Sequence, residues 1–116
     1  PIGNDAQKAI EALPQQDKVA HYDMRFIKPL DGDLLDEIGK KFKKVITIED
    51  GVRNGGFGSA VLEWFNDHGY APSVQRMGLP DEFVAHGSVD ELRRIVGLDA
   101  PHIKQNIEEM LASDQV

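Results

Sequence analysis

Residues 45–64 read VITIEDGVRNGGFGSAVLEW, and this order of apolar run, glycine loop and helix pattern restricts the fold more than any other stretch. A short continuous apolar run such as 45–48 is how a strand buried on both faces reads, as in a parallel sheet covered by helices. Two acids follow, Glu49 and Asp50, and then four glycines within eight positions. From Phe57 the pattern turns helical: Phe57, Val61, Trp64 and Phe65 share one face of a helix over 57–68, and an apolar stripe of that kind is buried against a neighbour.

A strand, a glycine loop and a helix in this order often hold a phosphate, so the loop was compared with the two glycine patterns that do. The dinucleotide fingerprint G-x-G-x-x-G, started at Gly56 and Gly58, needs a third glycine where Val61 stands. The G-x-x-x-x-G-K-[ST] loop, started at Gly51, needs its lysine where Phe57 stands. Both patterns fail at a named position. The favoured reading is structural: Gly55 and Gly56 let the chain reverse at positive φ, and Gly58 lets the helix start lie close to its neighbours. An anion on the exposed N–H groups is the lesser alternative, because Glu49 and Asp50 would repel it and Arg53 offsets only part of that charge. One of the two carboxylates capping the glycine turn or the next helix is preferred to a ligand-binding role.

The remaining pattern extends the alternation. A helix is predicted over 4–13, capped by Asn4 or Asp5 and buried through Ala6, Ala9, Ile10 and Leu13. A strand is predicted over 18–24. A helix over about 33–43 follows, capped by Asp31 or Asp33, with Leu34, Leu35, Ile38 and Phe42 as its stripe. Lys40, Lys41, Lys43 and Lys44 lie at its C-terminal end, where the dipole favours cations. Residues 73–79 read as a strand. Ser88 and Glu91 form a capping box opening a helix over 88–96, and Asp99 caps a last helix over 100–112. Repeated strand–helix alternation implies right-handed crossovers and an α/β fold with a mostly parallel sheet.

Composition closes off several functions. A net charge of −7 over 116 residues argues against a nucleic-acid footprint and against an anionic membrane surface. There are no cysteines, which excludes disulfides and Cys-based zinc sites and fits a cytoplasmic location. No apolar run of about 18 residues is present. His21 and Asp23 lie on one strand face and could begin a metal site, but a hydrogen-bonded pair is preferred, since no third ligand is implied. His68, His86 and His102 are scattered singly and read as surface or capping residues. Asp81 and Glu82, after Pro80, have the same two readings as Glu49 and Asp50. No nucleophile–base set emerges. The chain opens on PIGNDAQKAI without an initiator methionine, and a fragment of a longer protein is expected.

Three stretches are specific together: HYDMRFIKPLD (21–31), ITIEDGVRNGGFGSAVLEW (46–64) and GLPDEFVAHGS (78–88). They resemble the C-terminal, third domain of the 1-deoxy-D-xylulose-5-phosphate synthases, within the transketolase-like, thiamine-diphosphate-dependent family. The acid-acid-loop-GG-x-G-S pattern alone is shared with transketolases and 2-oxoacid dehydrogenase β subunits; the other two stretches narrow the likeness to the synthases. Asn54 stands where many synthases have a bulkier residue.

The resemblance implies a three-layer α/β/α domain over 1–116 whose family fold has a further central strand before the segment matching PIGN. That strand would lie between those matching 18–24 and 44–49, and this chain is expected to lack it. For the intact enzyme the resemblance implies condensation of pyruvate with glyceraldehyde 3-phosphate, loss of CO₂, and a place in non-mevalonate isoprenoid biosynthesis and in thiamine biosynthesis. It implies thiamine diphosphate and magnesium as cofactors, held by the other domains, with none bound by this chain. The implied partners are those domains and a second copy in a homodimer. No catalytic, cofactor or metal residue carries over, and the chain alone is expected to be inactive. Glu49, Asp50, Arg53 and Asn54 are expected to be interface residues at the strand end. Another thiamine-diphosphate enzyme, or a free-standing α/β binding module, stands as the alternative.

Overall fold

The computed structural model describes residues 2–14, 16–22, 24, 30–52, 56–79 and 98–112. Along them run α1 (Ile2–Glu11), a 3-10 turn (Gln16–Lys18), α2 (Gly32–Lys41), β1 (Lys44–Val52), α3 (Phe57–Asp67), β2 (Ser73–Leu79) and α4 (Ala100–Ala112). The chain divides into two compact units, one of Pro1–Asp23 with Glu82–Val116 and one of Met24–Asp81. None of the described helices is long and apolar enough to cross a membrane.

In the first unit α1 packs on α4. The buried face of α1 carries Ala6 and Ala9, with Leu13 just beyond its end; Leu98, Ile103 and Ile107 are buried at and along α4. Except for Leu98, which precedes the helix, these are positions that helical spacing along 4–13 and 100–112 singles out; Ile10, Met110 and Leu111, on the same stripes, are only half-buried. Asp99 caps α4 by accepting from the His102 N–H at 3.2 Å. Helix α1 starts earlier than predicted, so Asp5 falls in its first turn and does not cap it. There its charge still meets the positive end of the helix dipole.

At the described residues of 18–24 the predicted strand is not formed. The chain instead closes a 3-10 turn at Gln16–Lys18, and the Val19 N–H donates back to the Gln16 carbonyl at 3.2 Å. Residues 19–22 and 24 have no regular structure. A strand is stable only within a ladder, and β1 pairs with β2 alone among the described residues. The predicted helix over 88–96, with Ser88 and Glu91, lies outside the described residues, as do His86, Asp81 and Glu82.

In the second unit β1 and β2 are parallel, with Val45 opposite Val74, Thr47 opposite Arg76 and Ile48 opposite Met77. This is the parallel α/β arrangement expected from 45–48 and 73–79. Strand β1 runs beyond the apolar run, through Glu49, Asp50 and Gly51, because pairing resumes at Val52 opposite Leu79 after an irregularity. Helix α3 crosses between the strands and packs on both, while α2 packs on α3. Val61 and Phe65 are buried on α3, Leu35 and Ile38 on α2. Asp31, not Asp33, caps α2, accepting from the Leu34 N–H at 3.1 Å.

The end of α3 follows from one glycine. Gly69 has φ +80, the single positive φ among the described residues. It lets the Tyr70 N–H reach the Phe65 carbonyl at 2.9 Å and the Gly69 N–H reach the Asn66 carbonyl at 3.4 Å. This paired pattern is the Schellman closure, which is accompanied by an apolar contact across the turn. Here that contact is Phe65 against Tyr70, edge to face with centroids 6.2 Å apart. Tyr70 thereby lies over α2. A Cβ on Gly39 would stand 2.7–2.9 Å from its ring, and its hydroxyl donates to Asp36. Asp36 also pairs with Lys40 at 3.1 Å.

The Tyr70 hydroxyl, and then Lys40, hold the Asp36 carboxyl below its ordinary value. The same bond to Asp36 raises the Tyr70 phenol. A carboxylate held low contributes stability above its unfolded titration and loses it as pH falls through the lowered value; a phenol held high loses its contribution as pH rises through the raised value. The stability gap between wild type and Tyr70→Phe is therefore expected to be widest between these limits and to narrow on both limbs, as read by urea denaturation across pH. Gly39→Ala gains helix propensity of about 1 kcal/mol but forces a methyl into an anchored ring, which costs about 1–3 kcal/mol. A net loss of stability is expected; a net gain would show that the ring moves aside freely.

Candidate functional site: the junction of β1 and α3

A helix begins with N–H groups that have no partner within it. Helix α3 starts with no side-chain cap from Gly56 and no acidic residue in its first turn. Its partner comes from the strand before it. Glu49 accepts from the Phe57 N–H through Oε2 at 2.7 Å and from the Gly58 N–H through Oε1 at 3.0 Å. Hydrogen bonds to a charged acceptor contribute about 1.5–3 kcal/mol each, and this carboxylate also meets the positive end of the helix dipole.

The approach of helix to strand depends on Gly58, which is buried. A Cβ there would stand 2.5 Å from Thr47 Oγ1, 3.1 Å from Arg76 Cγ and 3.3 Å from Glu49 Oε1. Thr47, Glu49 and Arg76 therefore share the sheet face on which α3 lies, as alternation along the strands requires. Arg76 donates to the Ser59 hydroxyl at 2.8 Å and so ties β2 to the first turn of α3. Thr47 is 5% exposed and its hydroxyl has no hydrogen-bond partner.

The glycine loop thus serves close packing at Gly58, and the anion at the helix start is the chain's own. Gly56 has φ −92, so the positive φ expected for it is not used; an extended backbone already leads into the helix. Of the expected interface residues, Glu49 is turned to α3 as a cap. Asp50 continues β1, and its side chain, like Arg53, Asn54 and Gly55, lies outside the described residues. Arg76 and Thr47 were not singled out from the sequence. The signal for Arg76 was present: one cation inside the strand SVQRMGL needs a polar partner on its face.

The described histidines fill local roles. His68 Nδ1 lies 2.7 Å from the Trp64 carbonyl at the end of α3 and its ring stacks on Trp64 with centroids 3.8 Å apart. His102 pairs with Asp99; burial raises the Asp99 carboxyl, the His102 contacts lower it, and the balance is downward. His21 lies 3.0 Å from Gln7 Oε1 on α1, while Asp23 is outside the described residues. Among the described residues no three acidic or histidine side chains converge on a metal position.

Gly58→Ala is expected to cost about 1–3 kcal/mol through overpacking. Adding Thr47→Ala removes the atom it strikes, so the double variant should lose less than the two single losses together. Additive losses in chemical denaturation would mean that Gly58 and Thr47 are not in contact.

The family described as transketolase, C-terminal domain, matches residues 3–103. The 1-deoxy-D-xylulose-5-phosphate synthase of Parabacteroides distasonis is 51% identical over 110 residues, which cover 94% of this chain and 17% of that protein. That of Phocaeicola vulgatus is 56% identical over 101 residues, 85% of this chain and 16% of that protein. The chain therefore spans about a sixth of the length of these curated relatives. A solved structure titled "Split gene transketolase, inactive beta4 tetramer" shares the fold with a TM-score of 0.80 and 28% identity, covering 98% of this chain and 37% of that one. With the family matched across 3–103, the chain belongs to the transketolase C-terminal domain family.

Proposed function

We propose that this chain is the C-terminal domain of a 1-deoxy-D-xylulose-5-phosphate synthase and acts there as a structural and interface domain. The observation that carries this reading is its 51% and 56% identity to two such synthases, against 28% to the split-gene transketolase. The intact enzyme would join pyruvate to glyceraldehyde 3-phosphate with loss of CO₂, in the cytoplasm, toward isoprenoid and thiamine biosynthesis. Thiamine diphosphate with magnesium would supply the electron sink for that decarboxylation.

The start of α3 does not fit that cofactor. A diphosphate needs unfilled N–H groups or cations, and the N–H groups at the start of α3 are taken up by Glu49. The reacting groups would then belong to other domains of the same enzyme, and this domain would contribute surface to them and to a homodimer. Strand β1 pairs on one side only among the described residues. A strand from elsewhere in the enzyme, set against its other edge, would complete the sheet.

Two measurements test the reading. Replacing the matching segment of the Parabacteroides distasonis synthase with this chain should leave an active enzyme; a folded, assembled but inactive chimera would count against the synthase assignment. Calorimetric titration of the 116-residue chain with thiamine diphosphate and magnesium should give no binding heat. Saturable binding would overturn the assignment of the cofactor to other domains.

A further inference from the structure

The Thr47 hydroxyl is the single buried side-chain polar atom without a hydrogen-bond partner among the described residues. A buried donor left unmade is costly, and its surroundings suggest what it is suited to. Thr47 Oγ1, Arg76 Cγ and Glu49 Oε1 converge within 2.5–3.3 Å of the position a Gly58 Cβ would take. The Phe57 and Gly58 N–H groups point to Glu49. Arg76 is the cation on this face and is held at Ser59. Two N–H groups and the helix dipole therefore meet one carboxylate, with an unpaired hydroxyl close by. Helix α3 brings no acid of its own to its first turn.

We propose that the start of α3 and Thr47 form an oxyanion-binding site whose resident ligand is the Glu49 carboxylate, and that a small carboxylate or phosphate occupies it when that side chain is withdrawn. The two oxygens of Glu49 are committed to Phe57 and Gly58, which leaves Thr47 unserved. A phosphate has further oxygens and can accept from the hydroxyl as well. A tethered carboxylate competes at high effective concentration, so the wild-type site is closed to free anions. This inference uses only residues of the β1–α3 junction and stands apart from the synthase reading.

The test compares the full wild-type chain with Glu49→Ala. Each is titrated with sodium formate and with inorganic phosphate, at ionic strength held constant with chloride. The Phe57 and Gly58 amide resonances and the thermal midpoint are followed. Glu49→Ala should lower the midpoint by more than about 10 °C, the loss of two charge-assisted hydrogen bonds. Formate or phosphate should then move both amides saturably and restore part of the midpoint, while the wild type shows neither effect. Adding Thr47→Val should weaken the phosphate response about tenfold, the loss of one hydrogen bond. If Glu49→Ala does not fold in chloride alone, folding induced by formate or phosphate is the supporting result. Amides that do not move, an equal response in the wild type, or a failure of any oxyanion to restore a lost fold would each overturn the proposal.

Discussion

The first turn of α3 presents backbone N–H groups to a place where neither the helix nor the residue before it supplies an acceptor. The contact with Glu49 therefore anchors the whole strand–helix unit. It is made eight and nine residues along the chain, across the glycine loop. Glu49 thus joins the end of a strand to the beginning of a helix and sets where that helix starts. Burying a carboxylate costs desolvation; half-buried at a helix start, with two N–H donors, it meets that cost locally.

Steric absence does the rest. Gly58 has no side chain, so α3 settles onto Thr47 and Arg76. Gly39 has none either, so the Tyr70 ring settles onto α2. The two contacts lie at opposite ends of α3 and use the same device, a glycine facing a larger residue. Between them Val61 and Phe65 are buried at 2% and 1% exposure. Propensity alone would have favoured alanine at Gly39, within a helix; packing against an aromatic ring decides otherwise. The Schellman turn at Gly69 is what delivers Tyr70 to that position.

The same geometry bears on function. A glycine-rich loop after a strand invites a phosphate, and the two phosphate motifs were already broken at Val61 and Phe57. The junction accounts for Gly58, which permits close contact, and the anion at the helix start is internal. The acidic pair that looked alike in sequence divides at this point, since Glu49 turns to α3 as its cap while Asp50 continues the strand backbone.

Periodicity was enough to place α2, α3, α4, β2 and the core of β1, because each buries one face or runs apolar for its length. The sequence also offered Asp99 as a cap, and Asp31 or Asp33 for α2, since caps act within three residues on the chain; the structure chose Asp31. Periodicity failed at the described residues of 18–24, where β-prone residues have no ladder to join and a local 3-10 turn forms instead. The sequence had one of the two acids, Glu49 or Asp50, capping the glycine turn or the next helix; tertiary structure decided that Glu49 caps α3, that Arg76 meets Ser59, and that Thr47 lies unpaired beneath Gly58. Each of these joins residues well apart in the sequence, so it depends on the distance and angle at which a helix crosses a strand. Local patterning carries no such information, because spacing along a chain specifies which face a side chain shares, not what stands opposite it.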